Sequence, residues 1–122
     1  TKGTLQIETT TADSFLEGQA WPDVDLVKID VEGAEMDVLN GMVQLLQKSR
    51  NLNLIVEFNP VLLRRANVDL TEFLGKLPSL GFDAYNIDED KDSMRQEEIG
   101  DSLLIERLLA TEGSVNLHYV RR

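Results

Sequence analysis

The run from Asp25 to Leu39, DLVKIDVEGAEMDVL, constrains the fold more than any other stretch of the chain. A short apolar strand, Leu26 to Val31, passes through a turn at Gly33 into a helix whose apolar residues recur at three- and four-residue spacing. A strand that feeds a helix is the repeating unit of an α/β sheet, and ligands of open α/β sheets bind at the carboxyl ends of the strands. Three carboxylates, Asp30, Glu32 and Glu35, stand at that end. Alternation along the strand puts Val27, Ile29 and Val31 on one side and Lys28, Asp30 and Glu32 on the other. Parallel strands covered on both faces read as continuous apolar runs, so Lys28 is expected either to pair with a carboxylate or to look into a cleft. Gly33 suits a sharp turn or a close approach of the backbone. The carboxylates have a structural reading, as ion-pair partners and favourable charges near a helix N-terminus, and a functional one.

The 122 residues suffice for one domain with a core. A net charge of -10, from 22 acidic against 12 basic side chains, works against nucleic acid and anionic membranes as partners. The absence of cysteine removes disulfides, thiolate metal sites and a cysteine nucleophile, and fits a cytoplasmic setting. No stretch approaches the roughly 20 apolar residues of a membrane span. A start at Thr1 instead of Met suggests a piece of a longer protein.

Leu5 to Thr9 alternate as a half-buried or edge strand would, and Thr10 or Thr11 can cap a short helix, Ala12 to Leu16, that carries Phe15 inward. Trp21 and Pro22 lie in a loop, with Trp21 read as a packing anchor because no basic groove accompanies it. Gly41 interrupts the helical pattern from Met36 to Leu46, which predicts two short helices. Leu52 to Phe58 reads as a second buried strand whose end carries Glu57 and Asn59, so that Glu57 can face Lys28, Asp30 or Glu32. Asn59 with Pro60 after it is a helix start, Arg64 and Arg65 are either anion-recognising or solvated, and Asp69 with Glu72 opens another helix. Phe82 to Ile87 is a third strand, with Phe82, Ala84 and Asn86 on one face. The acidic run Asp88 to Gly100 is expected as a mobile loop, since its spacing departs from a calcium loop. Asp101 caps a last helix and Asn116 to Val120 closes the chain as a strand in which His118 is partly buried or exposed.

VDLVKIDVEGAEMDVLNG from Val24 to Gly41, LIVEF from Leu54, LGF from Leu80 and NLHYV from Asn116 together resemble the FkbM-type methyltransferases. The opening TTTADSFL also resembles the segment before that family's central strand. The resemblance implies a cytoplasmic, bacterial S-adenosylmethionine-dependent enzyme with a Rossmann-like sheet, mostly parallel, with helices on both faces and one antiparallel strand near the edge. On that plan residues 1–122 are the C-terminal half of a single methyltransferase domain, and the glycine-containing loop and ribose-holding acid of the first half are not among them.

For function, the resemblance implies O-methylation of a small-molecule or saccharide hydroxyl by the parent protein, with this segment forming the acceptor-side wall and binding cofactor poorly. Asp30, Glu32 and Glu57 are the candidate catalytic residues, as base or acceptor-orienting groups. No metal is assigned, although Asp30, Glu57 and Asn59 would be the oxygen ligands of one. A homo-oligomer through an exposed sheet edge is expected. The alternative is a non-catalytic, acidic α/β protein-interaction module.

Overall fold

The computed structural model describes residues 3–88, 95–98 and 102–122. In chain order these form α1 (Ala12–Gly18), β1 (Leu26–Ile29), α2 (Glu35–Asn40), α3 (Val43–Lys48), β2 (Asn53–Phe58), α4 (Pro60–Arg65), α5 (Leu70–Ser79), β3 (Phe82–Asp88), β4 (Arg95–Glu98), α6 (Ser102–Leu109) and β5 (Val115–Arg121). The described strands make one mixed sheet in the order β1-β2-β5-β3-β4. β1 and β2 are parallel, whereas β5 runs antiparallel to both its neighbours and β4 antiparallel to β3.

The α/β class is as expected, but the expected mostly parallel sheet is not what these strands form. Only β1 and β2 are linked by a parallel ladder, because β5 enters between β2 and β3 from the opposite direction. The expectation of helices on both faces also changes. Leu54, Val56 and Phe58 of β2, Leu117 and Tyr119 of β5, and Phe82 and Ala84 of β3 share one face by register and alternation. All are buried in one cluster with Leu39, Leu45 and Leu46 of α2 and α3, Leu63, Phe73, Leu74 and Leu77 of α4 and α5, and Leu108 of α6. The other face carries Lys28, Ile55, Glu57, His118 and Tyr85, which stay exposed or half-buried. Lys28 is therefore an exposed residue on an edge strand, with no core to enter.

Local chemistry fixes the helix boundaries. Thr11 caps α1 by accepting the Ser14 N–H, and the Asp13 carboxylate reaches across to accept the N–H groups of Gln44 and Leu45 at the start of α3, both at 2.9 Å. α2 ends and α3 begins around Gly41, where a Cβ would come within 3.0 Å of Thr11. The break predicted there thus has a tertiary cause, the seating of α1. Asn59 and Asp69 cap α4 and α5 through the N–H groups of Leu62 and Glu72.

Three expectations fail. Residues 3–10 form no strand, and Leu5 and Ile7 are exposed, because no described strand lies beside them. Phe15 is exposed on α1 instead of pointing inward. Arg95–Glu98, expected within a loop, pairs with β3 as β4, while 89–94 and Asp101 lie outside the described residues.

Candidate active site at the carboxyl ends of β1 and β2

Register brings the first two candidate residues together. Ile29 of β1 lies beside Val56 of β2, so the next residues, Asp30 and Glu57, are neighbours across the parallel pair. Glu57 is also opposite Asn116 of β5. Its carboxyl group titrates above the ordinary value of 4.5, first because it donates to the Asp30 carboxylate when protonated, and then because burial disfavours its charge. A Ser114 hydrogen bond works the other way, and the negative charges of Asp30 and Glu35 add to the rise. Beside a second carboxylate on the adjacent strand end, Glu57 thus holds its proton more readily than it would in water.

This sets a pH dependence of stability. Between Glu57's unfolded value near 4.5 and its raised folded value, the folded chain binds more protons than the unfolded one, so stability falls as pH rises through that window. Urea unfolding is expected to show Glu57→Gln gaining on the native sequence as pH increases from 4.5, and parallel pH profiles for the two would refute the coupling.

The turn between β1 and α2 supports this edge. Glu32 adopts φ 50° and Gly33 φ 106°, two successive residues in the left-handed region. For Glu32 that is a strained conformation, of the kind retained where surrounding structure over-determines it. Glu35 does so here. It is 1% exposed, and its carboxylate accepts the Val31 N–H at 2.8 Å and the Gly33 N–H at 2.9 Å. The side chains of Asp30 and Glu32 remain exposed around this clamp.

Gly33 has a second reason to be glycine. A Cβ would sit 3.0 Å from the carbonyl oxygen of Leu62 in α4, so the two strand-to-helix connections press against one another. Gly33→Ala is expected to destabilise the chain by about 2 kcal/mol through strain and crowding, read from the urea midpoint. An unchanged midpoint would mean that the turn relaxes freely.

Among the remaining candidates, Glu32 does not join the Asp30–Glu57 pair by strand register, since it lies beyond β1 in the turn. The Asn59 side-chain oxygen accepts the Leu62 N–H at 3.2 Å, and the Arg64 guanidinium donates to the Leu109 carbonyl at 3.1 Å, tying α4 to α6. His118 is half-buried, with Nε2 2.9 Å from Asn53 Oδ1. Sequence reading missed Ser114 and Asn116, which reach Glu57 only through the β2–β5 register. It grouped Glu35 with Asp30 and Glu32 at the strand end and gave it no part in holding the turn. The usable signal was position: a carboxylate opening a helix two residues after a turn glycine is within reach of the turn's own N–H groups.

A mixed α/β sheet with carboxylates converging at the ends of two parallel strands is a site suited to proton transfer from a bound ligand. The match to known sequences agrees with that class: residues 1–84 match the methyltransferase FkbM domain, and the chain belongs to that family. One curated relative, a hexuronic acid methyltransferase (AglP) of the archaeon Haloferax volcanii, is 43% identical over 47 residues, which is 38% of this chain and 20% of that protein. The chain therefore aligns with about a fifth of that relative's length. No solved structure matches the chain.

Proposed function

We propose that the parent protein is an S-adenosylmethionine-dependent O-methyltransferase acting on a saccharide hydroxyl, and that residues 1–122 are the C-terminal part of its Rossmann-like domain, forming the acceptor-side wall. The observation that carries this reading is the Asp30–Glu57 pair at the carboxyl ends of adjacent parallel strands in a chain of the FkbM family. The relative's action on a hexuronic acid favours a sugar acceptor.

The cofactor supplies an electrophilic methyl group on a cationic sulfonium, and an edge lined by Asp30, Glu32 and Glu57 suits a cation by charge. The chain's own work is then to orient the acceptor hydroxyl and take its proton. In its deprotonated state the Asp30–Glu57 pair accepts that proton at a carboxylate oxygen, and the raised affinity of Glu57 for protons suits it to the role of base. Glu35 holds the turn and Ser114 orients Glu57. Positioning the hydroxyl accounts for much of the expected acceleration.

In the parent protein the free edge of β1, where Leu26 is 61% exposed, would be covered by the preceding part of the domain. In the isolated chain the same edge is expected to pair with a second copy. The reading is tested by incubating the full-length protein with labelled S-adenosylmethionine and a glucuronate-containing oligosaccharide. Label on the saccharide is expected. Tight cofactor binding without transfer to any hydroxyl acceptor would overturn the acceptor class, and no cofactor binding would favour the interaction-module alternative.

A further inference from the structure

The opposite end of the sheet carries a cleft that the methyl-transfer reading does not use. It has a volume of about 360 Å³ and lies beside the residues that lead into β1 and β2, with Trp21, Lys48, Ser49, Arg50 and Asn51 among its walls. The length of β2 puts it roughly 20 Å from Glu57. A smaller cleft of about 190 Å³ adjoins it, sharing Arg50 and Asn51 and bounded by Arg121.

Three observations mark this pole as a binding site. The first is a grouping of basic side chains. In a chain of net charge -10, Lys48, Arg50 and Arg121 gather around the two adjoining clefts. The second is the state of Arg121. Its Nε donates to the Ser49 carbonyl at 2.9 Å and its guanidinium lies 4.5 Å from the centre of the Phe82 ring, yet its Nη2 is buried with no hydrogen-bond partner among the described residues. A buried guanidinium nitrogen without an acceptor is costly, and a turn of the Arg121 side chain towards the cleft it borders would let an anion relieve it. The third is Trp21. Ala20 and Trp21 are held at φ 60° and 53°, and the Lys48 ammonium lies 4.6 Å from the indole centre. Trp21 packs against the core, as the sequence suggests, while the basic side chains beside it, Lys48 over its ring and Arg50 in the same cleft, were not anticipated.

We propose that this pole binds a sugar ring bearing a carboxylate or a phosphate. The anion lies where the two clefts meet, against Arg50 and Arg121, and the ring packs along Trp21, with Ser49 and Asn51 offering hydrogen bonds to its hydroxyls. Asp23 and Asp25 line the far part of the larger cleft and repel an anion there, which restricts it to the Arg50 end. An aromatic wall among mostly polar neighbours suits a hydroxylated ring better than an apolar one. Methyl transfer at the other end of the sheet is not needed for this assignment.

Trp21 is the chain's one tryptophan, so its fluorescence reports directly on the cleft. The 122-residue chain is titrated with glucuronate, glucose 6-phosphate and glucose at fixed ionic strength, with calorimetry in parallel. At least one of the two anionic sugars is expected to bind ten-fold or more tightly than glucose, and their relative affinities identify carboxylate or phosphate as the source. Arg50→Ala, at an exposed position, is expected to weaken that binding at least ten-fold while leaving the thermal unfolding midpoint in place. Binding of neither sugar, equal binding of glucose, or affinity unchanged in Arg50→Ala would overturn the proposal.

Discussion

Glu35→Ala is expected to destabilise the chain by about 3 kcal/mol or more, the sum of two hydrogen bonds from backbone N–H groups to a buried carboxylate. The reason lies in what the carboxylate leaves behind. Val31 and Gly33 would lose their acceptor in a turn where Glu32 and Gly33 already occupy the left-handed region, and the buried Gly33 N–H has little access to water. Glu35→Gln keeps one carbonyl acceptor and should cost about half as much, since a neutral acceptor is weaker than a charged one. Urea unfolding of both variants measures this. Equal, small losses would show that the turn is held by its packing on Leu62 and not by Glu35.

The second large effect concerns activity. In the full-length protein, Glu57→Gln is expected to lower kcat by roughly 10²- to 10⁴-fold, the usual contribution of a positioned base. Asp30→Asn should fall in the same range if the two carboxylates act as one unit, and the double variant should then lose little more than either single one. Independent roles would instead multiply the losses. Glu32→Gln serves as the comparison, because Glu32 is exposed in the turn and outside the strand register that pairs Asp30 with Glu57. Its loss is expected to be less than ten-fold. Full activity of Glu57→Gln would remove the proton-transfer role altogether.

The parts of this molecule that could be read from sequence were those decided locally. The caps at Thr11, Asn59 and Asp69 arise from side chains acting on backbone within a few residues, and the strand-to-helix unit at Asp25 to Leu39 and the break at Gly41 are marked by local periodicity and a glycine, although the break itself also serves the seating of α1. The neighbour relation of Asp30 and Glu57 was legible as one of several options, because both residues end apolar strands with matching parity. Strand register then selected Asp30 as the partner by placing Ile29 beside Val56.

Features decided by distant chain escaped. Ser114 and Asn116 reach Glu57 through an antiparallel ladder that joins segments more than fifty residues apart, as the pairing of Glu57 with Asn116 requires. The same insertion places one reversed strand, β5, between β2 and β3, which run in the same direction. Leu5 and Ile7 alternate like a strand but have no described strand to pair with, so periodicity predicted an element that backbone hydrogen bonding did not complete. Trp21 was read correctly as a packing residue, but its basic neighbour was missed for a related reason: Lys48 is far from it in sequence and comes to its ring only when α3 packs beside the loop.

The most direct test of the central claim is the pH dependence of kcat for the full-length protein, compared with its Glu57→Gln variant. The base must be unprotonated to work, and Glu57 holds its proton to higher pH than an ordinary carboxyl. Activity of the native enzyme is therefore predicted to rise with pH through an inflection above 4.5 and then level off, while the variant lacks that limb and stays low throughout. Superimposable profiles with equal plateaus would contradict the assignment of the Asp30–Glu57 pair as the proton acceptor.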